Sequence, residues 1–142
     1  MRVLECSTKG CHLGKQFSAF NAQVEYMGET KSIEEHYQLA KRFDGEQLPK
    51  REAKGKKPSE VVIYDKPYPA SMLTPFYYLL WFKFYLTNQD LVERARAYDD
   101  YSDMFKGRSV NCQADTLRLF IRDKARYIEI IKPLAKELGY KE

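Results

Sequence analysis

Hydrophobic positions in two parts of the chain have the short spacing of strands. Residues 2–5 and 17–27 predict two short strands, the second of which turns at Gly28. Residues 61–68 predict a strand, a turn and a short return strand. The sequence therefore predicts several short strands rather than one long sheet.

Capping signals and apolar spacing predict two helices in the middle of the chain. Ser32 and Glu35 have the spacing of a capping box, which predicts a helix ending at about Phe43. Thr74-Pro75 predicts the start of a second helix, because proline is favoured in the first turn. The continuation to Leu86 is apolar on nearly every face, which predicts a buried central helix.

The last third of the chain also has helical spacing. Asn88 is predicted to cap a further helix, and residues 98–109 predict a structured loop. From Asn111 the apolar spacing predicts one long amphipathic helix that is interrupted at Pro133. Together these elements predict a single α+β domain over residues 1–142, with more helix than strand.

Composition is typical of a small globular protein. The 142 residues are 44% apolar and 31% charged, and 14% are aromatic. No apolar run approaches the roughly 18 to 20 residues of a membrane span, and Arg2 and Glu5 stand where a signal peptide would be apolar. We therefore expect a soluble, cytoplasmic protein with no membrane partner.

The net charge of +4 is concentrated in one segment. Residues 47–58 contain five cations against Glu52 alone, and such a loop suits a phosphate group, although an ordinary solvated loop would have the same composition. The five cations are Lys50, Arg51, Lys54, Lys56 and Lys57.

Candidate metal ligands are few. Cys6, Cys11 and His12 resemble half of a zinc clip, but no fourth ligand is evident, and three cysteines do not form a disulfide framework. Asp99, Asp100 and Asp103 could bind a metal or a ribose, but they lack EF-hand spacing and are also common in turns. We therefore expect no metal and no cofactor.

Three polar residues of the helix after Ser32 share one predicted face. Glu34, Gln38 and Lys41 are separated by four and three residues, so they would align along the helix. An exposed polar stripe is the commonest origin of such spacing. A carboxylate and an amine on one face could also carry acid–base or nucleophilic chemistry.

Six short motifs follow one another between residues 17 and 122. They are Phe17-Ser18-Ala19-Phe20, Ser32-x-Glu34-x-x-x-Gln38-x-x-Lys41, Ala53-Lys54-Gly55-Lys56, Lys83-Phe84, Asp103-Met104-Phe105-Lys106-Gly107 and Asn111. In this order they resemble the NADAR superfamily, also called YbiA-like. Ala19 and Lys106 depart from that pattern, since the family has Asn and Trp there.

The resemblance implies a NADAR-like fold and an N-glycosidase or ADP-ribose-processing hydrolase. Members cleave the bond between ribose C1′ and a nitrogen, in riboflavin-pathway intermediates or in ADP-ribose attached to guanine in DNA. The partner would be an ADP-ribose-like or ribose-phosphate small molecule, or ADP-ribosylated DNA. The resemblance leaves the oligomeric state open.

The resemblance also assigns residues to the site. Glu34 would act as general acid/base or stabilise the cation at C1′, and Lys41 would act as nucleophile or electrostatic partner. Nine residues would bind the substrate, namely Phe17, Ser18, Phe20, Gln38, Arg51, Lys54, Lys56, Asp103 and Asn111.

Two alternatives remain from the sequence. A non-catalytic protein of this fold could bind and sequester an ADP-ribose-like signalling nucleotide. A nucleic-acid-binding module could use the basic loop and exposed tyrosines, although the sequence has no recognisable motif of that kind. The presence of both Glu34 and Lys41 favours an enzyme, because a protein that only binds the nucleotide has no need for both residues.

Overall fold

The computed structural model describes residues 1–48, 56–103 and 112–135. The strands in these ranges are β1 (Val3–Glu5), β2 (Gln23–Tyr26), β3 (Glu29–Ser32), β4 (Lys41–Arg42), β5 (Glu60–Ile63), β6 (Lys66–Pro69) and β7 (Asp100–Ser102). The helices are α1 (His12–Gln16), α2 (Ile33–Ala40), α3 (Leu73–Thr87), α4 (Gln89–Ala95), α5 (Gln113–Arg122) and α6 (Lys124–Ala135), and a 3₁₀ turn at Ala70–Met72 precedes α3.

Helix α3 lies at the centre of the hydrophobic core, as its sequence predicts. Its apolar residues surround the whole helix, so Phe76, Leu80 and Trp81 have no exposed surface. Helix α6 packs along it, and the ring of Tyr127 stacks on that of Phe82 with centroids 6.1 Å apart. The described elements share this core, and the predicted α+β class is confirmed.

The strands form three small sheets. Strands β1 and β7 are parallel, β2 and β3 form an antiparallel hairpin, and β4, β5 and β6 form an antiparallel sheet in that order. The hairpin predicted over residues 61–68 is confirmed, with its turn at Tyr64 and Asp65. The prediction of a loop for residues 98–109 is wrong at β7, because pairing with β1, almost a hundred residues away, orders that segment.

The strand predicted over residues 17–27 is wrong in its first half. Phe17 to Ala22 forms a turn in which the Ser18 carbonyl accepts hydrogen bonds from Asn21 and Ala22, and only Gln23–Tyr26 pairs as a strand. The preceding helix α1 escaped prediction, since the thiol of its N-cap residue Cys11 is an unusual acceptor for a capping bond.

Helix α2 ends at Ala40, three residues before the predicted end at Phe43. Lys41 already has extended φ and ψ angles of −72° and 143°, and it pairs with Val61 of β5. The Arg42 guanidinium donates to the carbonyls of Leu39 and Lys41, which satisfies acceptors at the end of the helix. Lys41 is therefore a strand residue, and its predicted place on the helix face is wrong.

The long C-terminal helix is two helices. Asp123 has φ −149° and ψ 74°, which breaks the helix between α5 and α6, so that α5 can pack on β7 and α6 on α3. The prediction of an interruption at Pro133 is wrong, because α6 continues through it to Ala135. Helix α3 begins at Leu73 rather than at Thr74-Pro75, because the 3₁₀ turn leads directly into it.

Two further expectations concern the start of α4 and the absence of a membrane-spanning helix. Asn88 precedes α4, but its side-chain amide donates to the carbonyl of Phe84 and makes no capping bond. Within the described ranges, no helix has both the length and the apolar character required to cross a bilayer. The extent of the domain over all 142 residues stays a prediction.

Candidate active site

The first turn of α2 is held against the turn formed by residues 18–22. The Ser32 hydroxyl accepts from the Glu35 amide at 3.1 Å, which confirms the predicted N-cap. The amides of Ile33 and Glu34 donate to the carbonyls of Ala22 and Ala19 at 2.9 and 3.0 Å. These bonds satisfy the amides that a helix start leaves free, and they fix the position of Glu34.

A buried glutamine ties this turn to the rest of the molecule. The Gln113 Oε1 accepts from the Ala19 amide at 2.7 Å, and its Nε2 donates to the Cys6 carbonyl at 2.6 Å. Gln113 is 1% exposed. It therefore joins the start of α5, the end of β1 and the turn that supports Glu34, and sequence reasoning missed it because its partners are about a hundred residues away.

Glu34 and Gln38 lie on one face of α2, as their spacing predicts. The Gln38 amide donates to Glu34 Oε1 at 2.9 Å, and both side chains are half-buried. The amide nitrogen therefore restricts the orientation of the Glu34 carboxylate.

Lys41 reaches the same region from β4. Its Nζ lies 4.7 Å from the centre of the Tyr37 ring, a cation–π distance. Burial lowers the pKa of Lys41, and the nearby Glu34 carboxylate partly opposes this effect. The structure thus brings Glu34 and Lys41 together, although through a helix and a strand rather than through one helix face.

Tyr77 of α3 packs against Tyr37 of α2. Its ring contacts that of Tyr37 in an edge-to-face arrangement with centroids 4.9 Å apart. Burial raises the pKa of Tyr77, and the negative charge of Glu34 raises it further. Sequence reasoning missed Tyr77, because an aromatic residue in an apolar helix is expected to be ordinary core.

Asp103 lies near the start of α5. It is 4% exposed and accepts from the Ala114 amide at 3.3 Å. Burial, together with a hydrogen bond to the Asp103 carboxylate, raises the pKa of Cys112 to about 12, so this thiol stays protonated. Asp103 therefore supports the beginning of α5.

The aromatic segment at residues 17–20 divides between core and surface. Phe17 has no exposed surface and packs edge-to-face on Phe84, with centroids 6.1 Å apart. Ser18 is also buried, and its hydroxyl accepts from the Phe20 amide at 3.3 Å. Their assignment to the substrate surface is corrected to a packing role, because neither presents surface to a ligand. Phe20, which is 43% exposed, is accessible to one.

The predicted phosphate-binding cations are only partly described. Lys56 is exposed, and the chain leads from it to Ser59, whose amide donates to the Arg42 carbonyl at 2.9 Å. The basic segment therefore returns to the sheet directly beside Lys41. Arg51, Lys54 and Asn111 lie outside the described residues.

Two acidic candidates have structural partners. The Asp99 carboxylate accepts from the Arg2 amide at 2.6 Å, and Asp100 pairs with Arg118 at 2.9 Å. Across residues 1–48, 56–103 and 112–135, no cluster of three His, Cys, Asp or Glu side chains has a metal-binding arrangement.

Comparison with known families identifies the family of the chain. A family model described as DarT1-associated NADAR antitoxin matches residues 1–128. No curated protein matches the chain. The matched stretch contains Glu34, Gln38 and Lys41.

Proposed function

Because the chain belongs to the NADAR-DarT1 family of DarT1-associated NADAR antitoxins, we propose that it is an N-glycosidase that removes ADP-ribose from guanine in DNA. The wider NADAR family is associated with N-glycosidase activity. An antitoxin reverses or prevents damage by a toxin, and restoring a modified base is one such reversal. The proximity of Glu34, Gln38 and Lys41 in one half-buried place is the observation that carries this proposal.

The proposed reaction breaks the bond between ribose C1′ and a guanine nitrogen. The electron pair of that bond leaves with guanine, whose nitrogen takes up a proton, and positive charge develops at C1′. The carboxylate of Glu34, oriented by the Gln38 amide, stabilises that charge. Water then adds its oxygen to C1′ and loses a proton, which leaves ADP-ribose and an unmodified base.

Lys41 has two possible roles in this scheme. As a neutral amine it would attack C1′, give its proton to the departing guanine and be released later by water. As an ammonium group it would stabilise negative charge on the substrate. Burial lowers the pKa of Lys41, which enlarges the neutral fraction and favours the nucleophile.

Other residues would contact the ends of the substrate. Phe20 offers an exposed ring on which a base can stack, next to the turn that holds Glu34. Lys56 would contribute to binding the diphosphate, together with Arg51 and Lys54 as the sequence predicts. Asn111 and Asp103 stay candidates for the ribose hydroxyls.

The test uses an oligonucleotide that carries one ADP-ribosylated guanine. We expect the wild type to release ADP-ribose and restore the base, followed by chromatography and mass spectrometry, with no effect of EDTA. Glu34→Gln and Lys41→Ala should each lower kcat by about 10²- to 10⁴-fold, the usual size of acid–base or nucleophilic assistance. Borohydride treatment during turnover should attach ADP-ribose to Lys41 if its amine attacks C1′.

A neighbouring carboxyl group provides the matched control. Glu35→Gln changes the exposed residue next to Glu34 and should leave the rate within about twofold of wild type. Equal inactivity of the wild type and both site variants, with tight binding of ADP-ribose, would replace the glycosidase by the sequestering protein. Loss of activity with EDTA would show that a metal takes part.

A further inference from the structure

Trp81 has an unusual buried donor. Its indole Nε1 is enclosed and has no hydrogen-bond partner among the residues that the structure describes, and the side chain has no exposed surface. Buried polar groups of native proteins almost always have a partner, so one that lacks it calls for an explanation.

The hydroxyl of Tyr77 is a polar group close to this nitrogen. The two residues are four positions apart on α3 and therefore share a face of the helix. The indole N–H lies near enough to the Tyr77 hydroxyl to act on its pKa, but the two do not reach the geometry of a full hydrogen bond. An indole nitrogen can only donate, so the Tyr77 oxygen is the acceptor in this pair.

With its oxygen facing a donor, the Tyr77 hydroxyl directs its own hydrogen elsewhere. The Tyr77 ring packs on that of Tyr37 with centroids 4.9 Å apart, and Glu34 lies one turn before Tyr37 on α2. The titratable groups that act on the Tyr77 hydroxyl include Glu34 and Tyr37 of α2 and Cys112 before α5. Tyr85 of α3 and Tyr127 of α6 also interact with it, but their hydroxyls bond Thr116 and the Tyr78 carbonyl. Tyr37 presents its ring to Tyr77, and Cys112 is a protonated thiol, which is a weak acceptor. The carboxylate of Glu34 is the strong acceptor in this set.

We propose that Tyr77, oriented by Trp81, is a positioning residue that donates its hydroxyl hydrogen to the Glu34 carboxylate when the site is occupied. Gln38 donates to Glu34 Oε1 from the same helix, and Tyr77 would add a donor that comes from the core. Two donors from two helices hold a carboxylate in a single direction, which a donor from its own helix alone does not achieve. Only the catalytic consequence of this inference rests on the proposed glycosidase function.

The first experiment measures the pKa of Glu34 itself and requires no activity. Carbon-13 NMR would follow the Glu34 carboxyl group through a pH titration in the presence of ADP-ribose. In Tyr77→Phe, which removes only the hydroxyl, the midpoint should rise by about half a pH unit or more, because a donor to the charged form is lost. Trp81→Phe should shift it in the same direction by less.

A buried tyrosine away from the site is the matched control. Tyr127 is fully buried on α6, and its hydroxyl donates to the carbonyl of Tyr78. Tyr127→Phe should lower the melting temperature but leave the Glu34 titration unchanged. An unchanged midpoint in Tyr77→Phe, or the same shift in Tyr127→Phe, overturns the proposal.

The second experiment measures the catalytic consequence. Tyr77→Phe should lower kcat by about 10- to 100-fold with KM within about threefold, the size expected for one hydrogen bond to a charged group. The acidic limb of its pH–rate profile should move upward together with the NMR midpoint. A wild type without glycosidase activity would refute the proposed function, whereas the NMR titration would still decide the role of Tyr77.

Discussion

Replacing Gln113 should loosen the turn of residues 18–22 that supports Glu34, and it should destabilise the whole protein. Gln113→Leu keeps a similar volume but removes both hydrogen bonds, to the amide of Ala19 and to the carbonyl of Cys6. Both partner residues are buried, so each backbone group would lose its partner without gaining water. Each such loss costs about 1 to 3 kcal/mol, and the apolar leucine returns about 1 kcal/mol.

The expected net loss is therefore about 1 to 5 kcal/mol of unfolding free energy. For a chain of this size, each kcal/mol lowers the melting temperature by about 3 °C, which predicts a decrease of about 3 to 15 °C. Urea titration and thermal melting, both followed by circular dichroism, measure the two quantities. Gln89→Leu is the control, because this exposed glutamine donates to the Leu86 carbonyl where water can replace it.

A charged variant tests the directions of the two bonds separately. In Gln113→Glu, one oxygen can still accept from the Ala19 amide, but the other faces the Cys6 carbonyl, to which only a protonated carboxyl can donate. The folded-state pKa of this glutamate would be raised, so its stabilising contribution is present at low pH and is lost as pH rises. Relative to wild type at the same pH, Gln113→Glu should be less destabilised at pH 4 than at pH 7. A Gln113→Leu variant within 0.5 kcal/mol of wild type would refute the reasoning.

Three other substitutions have defined outcomes. In Gly14→Ala, the added Cβ would lie 2.1 Å from the backbone oxygen of Glu5, so we expect a loss of about 3 kcal/mol in urea unfolding. Ser32→Ala removes the N-cap bond to the Glu35 amide and should cost about 1 kcal/mol in the same assay. Burial lowers the pKa of His36, so the unfolded state binds a proton more readily and wild type loses stability as pH falls below about 6.5. His36→Gln should remove that part of the pH dependence between pH 8 and pH 5.

Each of these substitutions has a control of the same chemistry. Gly28→Ala, where φ is +80° but no atom lies within 4 Å of the added Cβ, should cost less than Gly14→Ala. Ser71→Ala changes an exposed serine outside any cap, and His12→Gln changes an exposed histidine. If Ser71→Ala cost as much stability as Ser32→Ala, the cap would not be the cause of the loss. If His12→Gln changed the pH dependence as much as His36→Gln, burial would not be the cause of that dependence.

The part of the site that lies within α2 was predictable because its determinants are local. Ser32 and Glu35 define the start of the helix, and the spacing of Glu34 and Gln38 puts them on one face whatever surrounds them. The burial of α3 was predictable for a similar reason, since a helix that is apolar on every side has to lie inside the protein.

The rest depended on contacts between segments that are distant in sequence. Lys41 leaves the helix because β5 offers it a pairing partner, yet its amine comes to the same place by another route. Phe17 and Phe20 have identical side chains three positions apart, but one packs on Phe84 and the other is exposed. Periodicity and capping act over a few residues, so sequence alone determined which residue types meet on α2. Only the packing of α3, β5 and Gln113 around that helix decided which side chains face the site and which of them are core.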